Sequence, residues 1–310
     1  MKYTQPTFVW KGVMPAITTQ FSEAGKLDLN AFVHNLNAQI LAGASGIILG
    51  GTLGEASTLT GEEKAQLVQT ALKEVGEKAA VVLNIAEQST QEAIVAAQKA
   101  EAQGAHGLML LPPMRYKATD RETVAYFDAV AKATELPIMI YNNPIDYKIE
   151  VTLDMFDALK SNANITAVKE STRDITNITR MRNRFGDRFA ILCGVDTLAV
   201  EALVMGADGW VAGLVDAFPE ETCAIYQYIK NGELNKAIAI NRWFMPLLEL
   251  DISPQLVQNI KLCEVATGLG TGHVRPPRLA LIGEERERVL SIIEQGMKTR
   301  PDVSEYKKYL

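Results

Sequence analysis

The chain is poor in cysteine. Cys193, Cys223 and Cys263 are the only three in 310 residues, odd in number and far apart. This excludes a disulfide framework and, without a Cys-x-x-Cys pair, a zinc ribbon. Histidine is equally scarce: His34, His106 and His273 stand alone along the sequence. A metal-dependent aldolase needs clustered ligands, so neither a metal nor a cofactor is expected. No Lys/Arg run is present and the formal net charge is -6, which argues against a nucleic-acid partner. Uninterrupted apolar stretches long enough for a bilayer are missing, and residues 1–10 lack the apolar segment of a signal peptide. No membrane partner is expected, and the cytoplasm is the expected location. Pro/Ser-rich linkers and low-complexity tracts are absent too.

What is present is a regular alternation. Short apolar, β-type runs at residues 12–17, 46–49, 80–85, 107–111, 137–141, 165–168, 189–193 and 209–212 each precede a longer amphipathic stretch. Those stretches predict helices at 28–43, 61–75, 89–104, 119–134, 152–160, 174–185, 197–205 and 219–230, the first capped by Asp28. Nearly continuous apolar strands are expected where both faces are covered by helices. Gly43, Gly104, Gly186 and Gly206 stand where helices need a left-handed terminator. Eight uninterrupted β-α units favour a closed (β/α)8 TIM barrel over an open sheet. The barrel is expected over residues 1–230. Helices at 234–250, 254–269 and 284–297 would make a C-terminal helical appendage over residues 231–310, with a loose polar tail after Thr299.

In such a barrel the chemistry sits at the C-terminal strand ends. The second strand ends in Gly50-Gly51-Thr52-Leu53-Gly54-Glu55. Its glycines let backbone amides approach an anion, although a Gly-rich turn alone is more often just a tight connection. The fifth strand ends in Tyr141-Asn142-Asn143-Pro144, where a tyrosine would point into the barrel mouth or simply plug it. The sixth ends in Lys169-Glu170-Ser171. A half-buried lysine there has a lowered pKa, and its neutral amine can attack a carbonyl to form a Schiff base. A lysine paired with a carboxylate is the ordinary alternative.

Together these segments resemble the dihydrodipicolinate synthase / N-acetylneuraminate lyase family, over about the whole chain. Gly194-Val195-Asp196 and Gly206-Ala207-Asp208-Gly209 resemble its later barrel motifs. The resemblance implies a class I Schiff-base lyase in which Lys169 forms an imine with a 2-oxo group. It implies Tyr141 as general acid/base, and Thr52 either connecting Tyr141 to solvent or holding the substrate carboxylate with amides around Gly51 and Leu53. Asn143, Ser171 and Gly194 within the motifs, and Gly213 after the eighth strand, are expected to line the substrate site. The resemblance also implies a homotetramer, with a loop that reaches across an interface.

The chain departs from the family pattern at several positions. Leu53 stands where several members carry a second hydroxyl residue. Asp146, five residues after Tyr141, stands where the synthase branch carries an arginine for a second substrate's carboxylate. The loop Pro113-Met114-Arg115-Tyr116-Lys117 offers Tyr116 or Arg115 where that branch lends a tyrosine to its neighbour. Gly54-Glu55-Ala56-Ser57-Thr58-Leu59 and Ser253-Pro254-Gln255-Leu256-Val257-Gln258-Asn259 are similar to a catabolic branch, that of pyrroline-4-hydroxy-2-carboxylate deaminase. The expected function is therefore a Schiff-base lyase on a small 2-oxo acid or its cyclic imine, by dehydration/deamination or retro-aldol cleavage. The alternatives are a synthase condensing pyruvate with aspartate semialdehyde, and a non-catalytic 2-oxo acid binding protein.

Overall fold

The computed structural model describes residues 8–113 and 116–310. Eight strands, β1 (Gly12–Pro15), β2 (Gly46–Leu49), β3 (Ala80–Ile85), β4 (Gly107–Leu110), β5 (Ile138–Asn142), β6 (Ile165–Glu170), β7 (Ala190–Cys193) and β8 (Gly209–Ala212), form one parallel sheet. β1 pairs with β8, and the remaining seam closes through a parallel bridge between Ala16 and Ile48, where the Ile17 amide donates to Ile48 O at 3.1 Å. The result is a (β/α)8 barrel. Seven of the eight strands, all but β3, are buried at every position or all but one, which is why they read as apolar runs without alternation.

Helices α1 (Leu29–Leu41), α2 (Gly61–Val75), α3 (Thr90–Ala102) and α4 (Asp120–Ala131) follow the first four strands. Their starts are written in the sequence. Asp28 accepts from the Ala31 amide, and Thr60 with Glu63 and Thr119 with Glu122 form reciprocal capping boxes. After β5 a single helical turn, α5 (Pro144–Tyr147), precedes α6 (Leu153–Leu159). Then come α7 (Thr176–Phe185), α8 (Ala199–Val204) and α9 (Pro219–Lys230). Gly43 and Gly206 take φ of 94° and 102° between a helix and the next strand, conformations that cost a side chain dearly.

The C-terminal part holds α10 (Leu234–Leu248), α11 (Leu256–Thr267) and α12 (Gly283–Lys298). α10 packs along α9, and buried Phe244 meets Phe218 edge-on at 5.5 Å. One apolar core runs from Trp10 through the barrel to Tyr306. The end of the chain is not loose, contrary to the reading of its polar composition. Residues Ser304–Tyr309 form a 3-10 turn, fully buried Tyr306 donates to Ala42 O at 3.0 Å, and Arg300 forks onto buried Glu221. One aromatic residue and one arginine fix a segment whose average polarity suggests nothing of the kind. Among the described residues no helix is long and apolar enough to cross a membrane.

Candidate active site

A cavity of about 540 Å³ opens at the C-terminal ends of the strands. Lys169 is the only lysine among the described residues that line it. Strand register sets its neighbour: Tyr141 on β5 pairs directly with Lys169 on β6. The ammonium nitrogen lies 4.0 Å from the centre of the Tyr141 ring. Lys169 is 7% exposed, and burial lowers its pKa against the smaller opposing pull of Tyr147, Asp251 and Asp196. No salt bridge to Glu170 forms. The Glu170 carboxylate turns away, accepting from the Thr172 amide and from Asn177.

Space around the lysine depends on Gly194. A Cβ there would come within 2.6 Å of Lys169 Cγ and 2.7 Å of Cε, and would collide with Ser171 Oγ. Gly194→Ala is therefore expected to push the lysine off its position and cost at least about tenfold in kcat/KM, since small misplacements of a reacting group are expensive. Steady-state kinetics beside a thermal melt separates that effect from unfolding.

The cavity brings together ten of the twelve residues that the sequence singles out. Gly51, Thr52 and Leu53 line it from the turn after β2, Tyr141, Asn143 and Asp146 from β5 and α5, and Lys169 and Ser171 from β6. Gly194 and Gly213 contribute from the turns after β7 and β8. Tyr116 does not line the cavity of its own chain and is 58% exposed. Arg115 lies outside the described residues.

The hydroxyl chemistry is wired differently from the simplest reading. Thr52 Oγ1 lies 3.2 Å from the hydroxyl of Tyr147, not of Tyr141. Tyr141 instead accepts from Asn143 Nδ2 at 3.2 Å, and the same amide donates to Asp146 at 2.7 Å. Burial pushes the Tyr141 phenol up to about 12 and raises Tyr147 as well, so both are neutral donors at physiological pH. The two rings meet edge to face at 5.4 Å. Tyr147 went unnoticed in the sequence because α5 is a single turn. Its Pro144 start and Asn143 cap, accepting from the Asp146 amide, were the available signals.

The tail also contributes. Asp251, Ser253, Pro254, Leu256 and Arg278 line the cavity, so the start of the 253–259 phrase singled out in the sequence lies at it. Glu55, fully buried with a φ of 49°, anchors the β2 turn to α11 by accepting from Lys261 Nζ at 2.7 Å and from the Arg275 amide at 3.0 Å. Asp196 is a structural carboxylate, accepting from the Trp210 indole and the amides of Gly213 and Leu214. Groups of three or more His, Cys, Asp or Glu side chains suited to a metal ion are not found among the described residues.

Comparison with known proteins agrees with this geometry. The chain is 30% identical over 286 residues to the 4-hydroxy-tetrahydrodipicolinate synthase of Exiguobacterium sibiricum, covering 92% of this chain and 97% of that one. It is 30% identical over 287 residues to the enzyme of the same name from Moorella thermoacetica, covering 92% and 98%. Among solved structures, the 4-hydroxy-tetrahydrodipicolinate synthase of Methylacidiphilum fumariolicum SolV superposes with a TM-score of 0.90 at 26% identity, over 96% of this chain and 99% of that one. A putative dihydrodipicolinate synthetase from Pseudomonas aeruginosa superposes at 0.87 with 30% identity, over 93% and 100%. The model of the dihydrodipicolinate synthetase family matches residues 9–296, nearly the whole barrel and tail, and the chain belongs to that family of lyases.

Proposed function

We propose that this chain is an imine-forming lyase acting on a short 2-oxo acid or its cyclic imine, with Lys169 as the nucleophile. One observation carries the reading: a single buried lysine, its pKa lowered, stands beside Tyr141 in a cavity large enough for a small substrate. Backbone amides of the turn at Gly51 to Leu53 receive the substrate carboxylate, and the Lys169 imine serves as the electron sink for the next step. Tyr147 and Thr52 form a hydroxyl pair leading from the cavity to solvent, since the Thr52 residue is exposed. Tyr147→Phe removes the hydroxyl but keeps the edge-to-face packing on Tyr141. It is expected to lower kcat about 10²-fold with little change in KM or melting temperature, as measured by steady-state kinetics and thermal denaturation.

For the finer reaction, the residues favour dehydration with deamination of a cyclic imine such as pyrroline-4-hydroxy-2-carboxylate. Asp146 faces the cavity beyond the lysine, and a carboxylate there repels a second anionic substrate. Condensation of pyruvate with aspartate semialdehyde is the second reading, and the names of the relatives favour it. Borohydride reduction followed by peptide mapping tests the shared step through an adduct on Lys169. Parallel assays with the cyclic imine and with pyruvate plus aspartate semialdehyde decide between the two. A homo-oligomer is part of the proposal, because Tyr116, in the loop that the family resemblance places at an interface, is exposed.

A further inference from the structure

Asp251 comes from outside the barrel. The turn Glu249–Ile252 after α10 leans over the strand ends and sets its carboxylate against Gly213, just beyond β8. A Cβ on residue 213 would lie 2.5 Å from Asp251 Oδ1 and 3.0 Å from Leu53 Cδ1. Asp251, Leu53 and Gly213 thus share one corner of the cavity. Leu53 brings no hydrogen bond to it, and Asp251 supplies the polar group.

The other acid and both phenols of the cavity are engaged: Tyr141 and Asp146 with Asn143, Tyr147 with Thr52. Among the described residues Asp251 has no hydrogen-bond or ion-pair partner. The groups acting on it are Asp196 and Asp146, which repel its charge, and Lys169, which attracts it. Burial holds the Asp251 carboxyl well above its ordinary pKa, toward the neutral acid. A neutral acid has an O–H to donate to an oxygen.

We propose that Asp251 recognises a substrate hydroxyl on the carbon two bonds beyond the imine carbon and protonates that oxygen as it leaves. This rests on the imine-forming reading above. With the imine formed, the proton on the intervening carbon passes to solvent through the Tyr147–Thr52 hydroxyls. Its C–H electron pair becomes the C=C bond of an enamine, and the C=N pair withdraws to nitrogen. That pair then returns to restore the C=N bond. The enamine C=C pair shifts to form a C=C bond to the hydroxyl-bearing carbon, and the C–O bond breaks. The oxygen takes the Asp251 proton and departs as water. The proton released earlier returns from solvent to Asp251, so one water is lost overall and no redox partner is needed.

Full-length wild type, Asp251→Asn and Asp251→Leu are compared in two assays. Borohydride trapping of pyruvate on Lys169 reports imine formation, and turnover of the 4-hydroxylated cyclic imine reports elimination. Asparagine still hydrogen-bonds the hydroxyl but carries no transferable proton. Asp251→Asn is expected to trap pyruvate while losing about 10²-fold or more in kcat, with KM within about threefold. The fall of kcat at high pH, as Asp251 ionises, disappears with it. Asp251→Leu is expected to lose kcat and raise KM together. Asn and Leu variants that both trap pyruvate and turn over the hydroxylated imine at near wild-type kcat would overturn the role of Asp251 while leaving the lyase reading intact. A wild-type protein that traps no 2-oxo acid would overturn both. Wild type that traps pyruvate but does not dehydrate the hydroxylated imine overturns this inference alone.

Discussion

Lys169→Ala is expected to lower kcat/KM by at least about 10³-fold and to abolish the borohydride-trapped adduct, because no other lysine among the described residues reaches the cavity. Folding should survive. Among the described residues Lys169 makes no ion pair; its pKa is lowered mainly by burial, so the substitution removes a desolvated amine rather than a structural tie. The melting temperature should stay within a few degrees of wild type. The pH profile follows from the same burial. Attack requires the neutral amine, and a lowered pKa makes that form available at lower pH. Imine formation should therefore rise with pH through the depressed Lys169 pKa and level off below the ordinary lysine value, as measured by trapping rate against pH. An active Lys169→Ala variant, or a trapping rate still climbing near pH 10.5, would remove Lys169 as the nucleophile.

Much of this was legible in the sequence, and the parts that were not share a cause. The bounds of β2, β3, β8, α2 and α9 read from apolar runs and caps coincide with those observed. All but β3 lie in segments whose ends carry Gly, Thr or Pro. Lys169, Tyr141 and Thr52 were found because barrel topology predicts where strand ends converge. Tyr147 and Asp251 were missed because neither sits on a strand end. Tyr147 lies in a helix of one turn, too short to leave a periodic signal, and Asp251 arrives from the tail by tertiary packing alone. The buried pair of Glu55 and Lys261 was invisible for a further reason. Its partners are 206 residues apart, and charged residues are expected at the surface.

That pair carries the largest expected effect on stability. Lys261 and Glu55 are both fully buried, their charges 2.7 Å apart, and the ammonium also donates to His273 O at 2.6 Å. Burial lowers the Lys261 pKa, opposed chiefly by the facing Glu55 and also by Glu264. Lys261→Met removes the ammonium that lies 4.6 Å from the centre of the Phe21 ring and strands the Glu55 carboxylate, with the Arg275 amide at 3.0 Å and the Arg278 guanidinium at 4.0 Å as its remaining support. The cost should be about 3–5 kcal/mol, the usual penalty for leaving one buried charge alone, or about 5–10 °C in melting temperature. Glu55→Gln should be similarly damaging. The double variant should recover part of the loss, because neither charge is then left unpaired. Function follows stability here, since Glu55 ends the turn that presents Gly51, Thr52 and Leu53 to the cavity. KM should therefore rise in both single variants. Additive losses in the double variant would show that the two charges are not coupled.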